Sequence, residues 1–178
     1  VGSEMCIRDS IITFVGPEEH IPNKMGVEWF INNCLVSLRK KEPTIEFRII
    51  GNWSEATRKK YSSLSYIHFC GFVDDLQAAL QNTVMIVPIM IGSGIRMKIL
   101  EAASMGVPFV TTTVGVEGIP FVNGEECIIA DSPNEFVNGI LKMFDLANCV
   151  KFTQKAFDKY KTLFSLESLK QSRKSVYE

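Results

Sequence analysis

An open, doubly wound parallel sheet with helices on both faces is the α/β fold class this sequence predicts, on three observations. Apolar, β-rich segments alternate with segments of helical period along most of the chain. The strand segments TVMIVPI and EFRIIG are nearly continuous apolar runs, as expected when helices cover a parallel sheet on both faces. Glycines follow the strand segments at Gly16, Gly51, Gly71, Gly92 and Gly115, where strand-to-helix turns fall.

Residues 1–10, VGSEMCIRDS, fit no element of this rhythm. The string MCIRDS resembles translated sequencing-adapter sequence, so a non-native leader is expected over 1–10 and the domain over 11–178. The uninterrupted run IITFV makes 11–15 the first strand. A helix follows over 24–41, with Trp29, Phe30, Leu35, Val36 and Leu38 at helical spacing, which says core or interdomain packing. A strand over 44–50, a helix over 54–62, a strand over 66–70 and a short helix over 75–81 continue the β-α rhythm. Next come a strand over 83–89, a helix over 95–105, a strand over 108–112 and a short strand over 127–130. Helical periodicity then fills 134–145, 149–164 and 166–177. Right-handed crossovers make such a chain an open sheet whose ligands bind beyond the carboxyl ends of its strands. The loops after Val15, Ile50, Phe69, Ile89 and Thr112 define that edge.

A length of 178 residues, a net charge of -1 and 46% hydrophobic residues suit one globular domain with a good core. Lys and Arg are scattered among acids, which argues against a nucleic-acid partner. Cys6, Cys34, Cys70, Cys127 and Cys149 are odd in number, mostly in apolar sequence and without C-x-x-C spacing. They read as reduced, buried thiols in a cytoplasmic protein. No apolar run approaches the ~20 residues a membrane span needs.

The most informative stretch is TVMIVPIMIGSGIRMKILEAASMGVP: a buried strand, a glycine loop and a helix opening with two cations. Unpaired N–H groups at a helix N-terminus favour an anion. Arg96 and Lys98 in the first turn oppose the helix dipole, at about 0.3–1 kcal/mol each, unless an anionic ligand sits between them and the helix end. The plainer account is a glycine turn with solvated cations. The string lacks the Lys-Ser/Thr of a phosphate-binding ATPase loop, and Met97 takes the last glycine position of a dinucleotide fingerprint.

Asp74 and Asp75 precede the helical run LQAALQ, which favours a capping role over a metal site. His20 and His68 lack ligand-spaced partners, so no metal is expected. His68 reads as a structural strand residue and His20 as an exposed loop residue near the cleft. Glu117 falls at the cleft edge by topology, to bind ligand or to brace its loop. Lys151, Lys155, Lys159, Lys161, Lys170, Arg173 and Lys174 read as a solvated amphipathic surface, with at most a peripheral contact at the inner membrane face.

The motif GSGIRMKILEAASMGVPFVTTTVGVEG, with FVGPEEHIPNKMGVEWF before it and YIHFCGFVDDLQAALQNTVMIVPI between, resembles the donor-binding, C-terminal domain of retaining GT-B glycosyltransferases of the family 4-like, group 1 kind. The resemblance covers 11–178 and implies a Rossmann-like C-terminal half of a GT-B architecture. It implies Gly16, Lys24, Gly92, Ser93, Gly94 and Ile95 around the donor diphosphate, Arg96 and Lys98 as the leaving-group cations, Phe72 and Val73 near the base, and Glu101 on the ribose. Packing is the simpler account of Phe72 and Val73, and a solvated helix former is the ordinary account of Glu101. Two departures stand out. Ser93 occupies the place of a family glutamate, and Pro17 and Met25 stand where the first loop often carries arginine and lysine. The implied partners are a nucleotide sugar, an acceptor hydroxyl on a glycan, lipid-linked sugar or other molecule, and an upstream acceptor domain absent from this chain. No cofactor is implied. A nucleotide-sugar epimerase domain and a non-catalytic nucleotide-binding scaffold are the alternatives.

Overall fold

The structure is a computed structural model that describes residues 10–164. Six strands, β1 (Ile11–Val15), β2 (Glu46–Ile50), β3 (Ile67–Gly71), β4 (Thr83–Val87), β5 (Phe109–Thr111) and β6 (Ile128–Ile129), form one sheet in the order β3-β2-β1-β4-β5-β6. Every pair is parallel. Ile11 sits opposite Glu46 on one side and Thr83 on the other, and Met85 sits opposite Phe109. This is the doubly wound, Rossmann-like architecture expected.

Alternation along the strands divides the core into two layers. Ile12, Phe14, Val84, Ile86 and Val110 face one layer, and Met85, Val87 and Phe109 face the other. The first layer is covered by α1 (Ile21–Phe30), α2 (Val36–Lys41) and α6 (Pro133–Phe144). The second is covered by α5 (Met97–Met105) and α7 (Leu146–Phe164). Two short helices, α3 (Glu55–Lys60) and α4 (Leu76–Ala79), complete the crossovers.

The helix expected over 24–41 starts earlier, at Ile21, because Pro22 tolerates the first turn, where its missing N–H costs nothing. It also widens into a π turn over Ile31–Leu35 before continuing as α2. Periodicity alone does not register this insertion, since Phe30, Cys34, Leu35 and Leu38 all remain buried. Asn33 Nδ2 donates to the Trp29 carbonyl at 2.8 Å beside it. Trp29 and Phe30 are packing residues as expected, each in contact with the Phe136 ring.

Capping residues set three of the other helix starts. Ser54 accepts from Thr57 N at α3, and Ser132 with Glu135 forms a reciprocal capping box at α6. Asp75 Oδ1 accepts from Ala78 N at 2.9 Å, so it caps α4 as its position predicts. That helix is a single turn, shorter than the expected 75–81.

Several side chains differ from expectation because β3 is an edge strand with one face open. Cys70 is exposed there, and His68, also exposed, is a strand residue bonded to Glu46. Phe72, just beyond, is 85% exposed, so packing does not account for it. Cys34, Cys127 and Cys149 are buried, and burial pushes the thiols of Cys34 and Cys127 up to about 12. Such thiols stay protonated and unreactive. The helix expected over 166–177, Cys6, and the cations Lys170, Arg173 and Lys174 lie outside the described residues. Among the described residues no helix is long and apolar enough to cross a membrane.

Candidate functional site

In the order β3-β2-β1-β4-β5-β6 the winding reverses between β1 and β4, so their carboxyl ends flank the crevice where open α/β sheets bind ligands. The loop after β1 carries Gly16, and the loop between β4 and α5 carries Gly92, Ser93 and Gly94. The two segments singled out from sequence therefore meet at the switch point.

Gly92 and Gly94 adopt φ of 112° and 89°, a region open to glycine and strained for other residues. Arg96 is the N-cap of α5 and Lys98 its second helical residue. Arg96 Nη1 donates to the Ser93 carbonyl at 2.7 Å, while Nε and Nη2 are buried with no acceptor among the described residues. Two desolvated guanidinium donors without acceptors are costly, at roughly 1–3 kcal/mol for a buried unsatisfied group.

Lys98 crosses from α5 to the first loop. Its ammonium donates to Asn23 Oδ1 at 2.8 Å and lies 4.3 Å from the centre of the Phe14 ring. Asn23 is buried and donates to the Pro17 carbonyl at 2.9 Å, so one side chain joins the first loop to α5. Burial first, and then the Arg96 charge, push Lys98 down to about 7, against the opposing pull of Glu101. Glu101 itself is exposed, one turn along α5, with its carboxylate on the open side.

Lys24 has a different partner. It pairs with Glu18 at 2.8 Å, and Glu18 also accepts from Ser54 N and Thr57 Oγ1, both at 2.6 Å. Trp53 Nε1 donates to the Gly16 carbonyl at 2.9 Å, so the first loop is tied down to the start of α3. The Lys24 ammonium, together with the Thr57 hydroxyl, holds Glu18 down to about 2, below its ordinary 4.5. A depressed carboxylate contributes stability above its unfolded pKa and loses it as pH falls through the folded value. Glu18→Gln is therefore expected to cost about 1 kcal/mol at neutral pH after solvent screening. The difference from the parent should shrink between pH 4.5 and about 2 in urea titrations. A gap that stays constant with pH would remove this role from Glu18.

On the far side of the glycine loop, Ile91, Gly92, Thr113, Val114, Val116 and Glu117 line an open cleft of about 600 Å³. Glu117 is exposed at its edge, as topology predicts. Thr112 Oγ1 donates to the Ile89 carbonyl and accepts from Gly115 N at 2.9 Å, bracing this loop against the end of β4. Ile95 is half exposed beside Gly118. A second concavity of about 500 Å³ is lined by Glu18, Glu19, Ile21, Lys24, Asn52, Trp53 and Ser54.

Gly16, Gly92, Ser93, Gly94, Ile95, Arg96, Lys98 and Glu101 are thus brought to one place. Phe72 and Val73 are not, because they follow β3, two strands from the switch point. Val73 is half-buried against the second core layer. His20 is exposed at the start of α1 with no capping bond from its side chain. Asn23, Glu18 and Trp53 belong to the site's framework and were not singled out from sequence; a buried asparagine in the first turn of a helix, a loop glutamate or a loop tryptophan gives no period or spacing to find it by.

Comparison with known proteins bears on the fold and the family. A protein of Klebsiella pneumoniae described as an uncharacterized 44.6 kDa protein in the cps region is 26% identical over 172 residues, covering 87% of this chain and 44% of that protein. TarM of S. aureus superposes with a TM-score of 0.82 at 14% identity, over 100% of this chain and 36% of TarM. A TarM variant has been crystallised with fondaparinux, α-GlcNAc-glycerol and UDP. The C-terminal domain of LpcC, a glycosyl transferase group 1 family protein of Francisella tularensis, superposes with a TM-score of 0.68 at 16% identity, over 89% of this chain and 87% of that one. The chain spans less than half the length of the Klebsiella protein and of TarM. The two structural likenesses, at such identities, speak for the fold, that of a C-terminal GT-B domain. The sequence model of the glycosyl transferases group 1 matches residues 9–145, well over half of the chain, and the chain belongs to that family.

Proposed function

We propose that this chain is the nucleotide-sugar-binding half of a glycosyltransferase that moves a sugar to an acceptor hydroxyl with retention of configuration. The observation that carries this reading is the Arg96 guanidinium, whose Nε and Nη2 are buried without acceptors beside the glycine loop of the switch point. A diphosphate is the ligand that two buried cationic donors, a helix N-terminus and a neighbouring lysine suit best.

As the bond between the anomeric carbon and the diphosphate oxygen breaks, negative charge grows on the departing phosphate. Arg96, the first N–H groups of α5 and the Lys98 ammonium meet that charge without first reorganising, which lowers the barrier without a metal. Glu101, exposed one turn further, is assigned to the ribose hydroxyls, and Lys24 to the outer edge of the diphosphate after exchange of its Glu18 partner. Acceptor binding is assigned to a second domain, so the chain alone is expected to bind nucleotide and to transfer no sugar.

Calorimetric titration with UDP, GDP and ADP tests the reading. One nucleotide should bind, and Arg96→Ala should weaken it about thirtyfold, the equivalent of about 2 kcal/mol for a lost charge-assisted contact. A folded protein that binds none of the three, or binds equally well without Arg96, would sink the proposal. Turnover by the isolated chain would refute the assignment of the acceptor site to another domain.

A further inference from the structure

The first loop faces the proposed diphosphate site with little charge of its own to offer. Between Gly16 and His20 it carries two carboxylates and no lysine or arginine, and Lys24, the next cation, is paired with Glu18. The cation at the first loop is instead Lys98, which belongs to α5 and reaches across the switch point. A Cβ on Gly16 would lie 2.9 Å from the Lys98 ammonium and 2.5 Å from Asn23 Nδ2, so the head group passes directly over the Gly16 backbone. Its one hydrogen-bond acceptor, Asn23, is neutral and is itself held by the Pro17 carbonyl.

We propose that Asn23 is a positioning residue that holds Lys98 at the first loop without neutralising it, and that a donor diphosphate arriving there brings a proton to Lys98 from solvent. This rests on the donor-site reading above and adds to it the residue that places the lysine and the ionic form in which the lysine waits. In the free protein the amine would be largely uncharged at slightly alkaline pH. The diphosphate supplies the counter-charge, the amine nitrogen takes a proton from the buffer, and the resulting ammonium pairs with phosphate oxygen.

The surroundings fit this behaviour from every side. On its own segment Lys98 meets Arg96, which disfavours the charge, and Glu101, which favours it. From β1 it meets the Phe14 ring, and from α1 the Asn23 amide. The carboxylate of Glu18 is turned to Lys24, Ser54 and Thr57, and no ion pair among the described residues includes Lys98. With burial these leave it near 7, so a modest counter-charge decides its state. An aspartate at position 23 would supply that counter-charge permanently, which is a reason for asparagine there.

The test is calorimetry of the whole chain with UDP-glucose, whose two phosphates exchange no proton near neutrality, in pairs of buffers of different ionisation enthalpy. Uptake of about 0.9 proton per bound molecule is expected at about pH 8 and about 0.1 at about pH 6. Lys98→Met should abolish the uptake and weaken binding at least about tenfold. Asn23→Asp, which keeps the lysine charged, should remove most of the uptake at about pH 8. Binding with no proton uptake, or undiminished uptake in Asn23→Asp, overturns this inference and leaves the donor site standing. Where a folded sample does not bind UDP-glucose, the titration is repeated with GDP-glucose and ADP-glucose, and binding of none of the three overturns both. Should the variants fail to fold, lysine-labelled NMR of the unsubstituted protein decides: one ε-signal should titrate near 7 and stay charged to higher pH with UDP-glucose. Every lysine titrating in its ordinary range would overturn the inference.

Discussion

Replacement of Gly26 by alanine is expected to destabilise the protein by about 3 kcal/mol and to lower its melting temperature by roughly 6–12 °C. The direction is opposite to what helix propensity gives, since alanine is worth about 1 kcal/mol more than glycine inside a helix. Packing decides the sign. A Cβ at this position would stand 2.3 Å from the Pro88 carbonyl oxygen and 3.1 Å from its carbon, both backbone atoms that no rotamer change can move. Either α1 lifts from the sheet or the segment after β4 shifts. Both lead into the site, α1 through Asn23 and the β4 segment through Gly92. The variant should therefore also lose nucleotide affinity, by about tenfold or more. Melting by circular dichroism and titration at a temperature where the variant is folded give the two readings. A variant as stable as its parent would mean that α1 accommodates the added methyl without leaving the sheet.

Phe136→Ala is expected to cost about 4 kcal/mol, the range for removing a buried phenyl ring, and roughly 8–16 °C in melting temperature. Phe136 is fully buried, edge-on to Trp29 at 5.5 Å and tilted against Phe30 at 6.0 Å. The cavity would open between α6 and the π turn, on the layer away from α5 and the glycine loop. Nucleotide affinity measured on the folded fraction should stay within about threefold of the parent, in contrast to Gly26→Ala. A large loss of affinity would show that the cavity is felt across the sheet at the glycine loop, and a cost below about 1 kcal/mol would show that α6 collapses into the space.

The strand and helix rhythm was legible because each element carries its own period: IITFV, EFRII and TVMIV read as strands, and each is one. The glycine loop and α5 were legible for the same reason, as a contiguous string. What escaped was set across the sheet. The bond from Lys98 to Asn23 joins residues 75 positions apart, and no local pattern encodes it. Nothing in the sequence marks Glu18, whose carboxylate gathers Lys24, Ser54 and Thr57 from two segments. Cys70 was read as buried because strand order, and with it the open face of β3, is a property of topology and not of the sequence around it. The π turn was hidden for a third reason: widening one turn by a residue leaves the buried positions buried.

The last described helix has a thermodynamic consequence. Along α7, Phe152 is buried in the layer of α1 and α6, and Ala156, one turn on, in the layer of α5. Lys155 and Lys159 reach Glu125 and Glu126 in the segment before β6. A single rigid rod is thus a shareholder in both halves of the interior, and neither can open without breaking contacts that the other shares. Slow-exchanging amides of β1, β4 and β5 should accordingly report one common opening free energy, with the protein melting as a single cooperative unit.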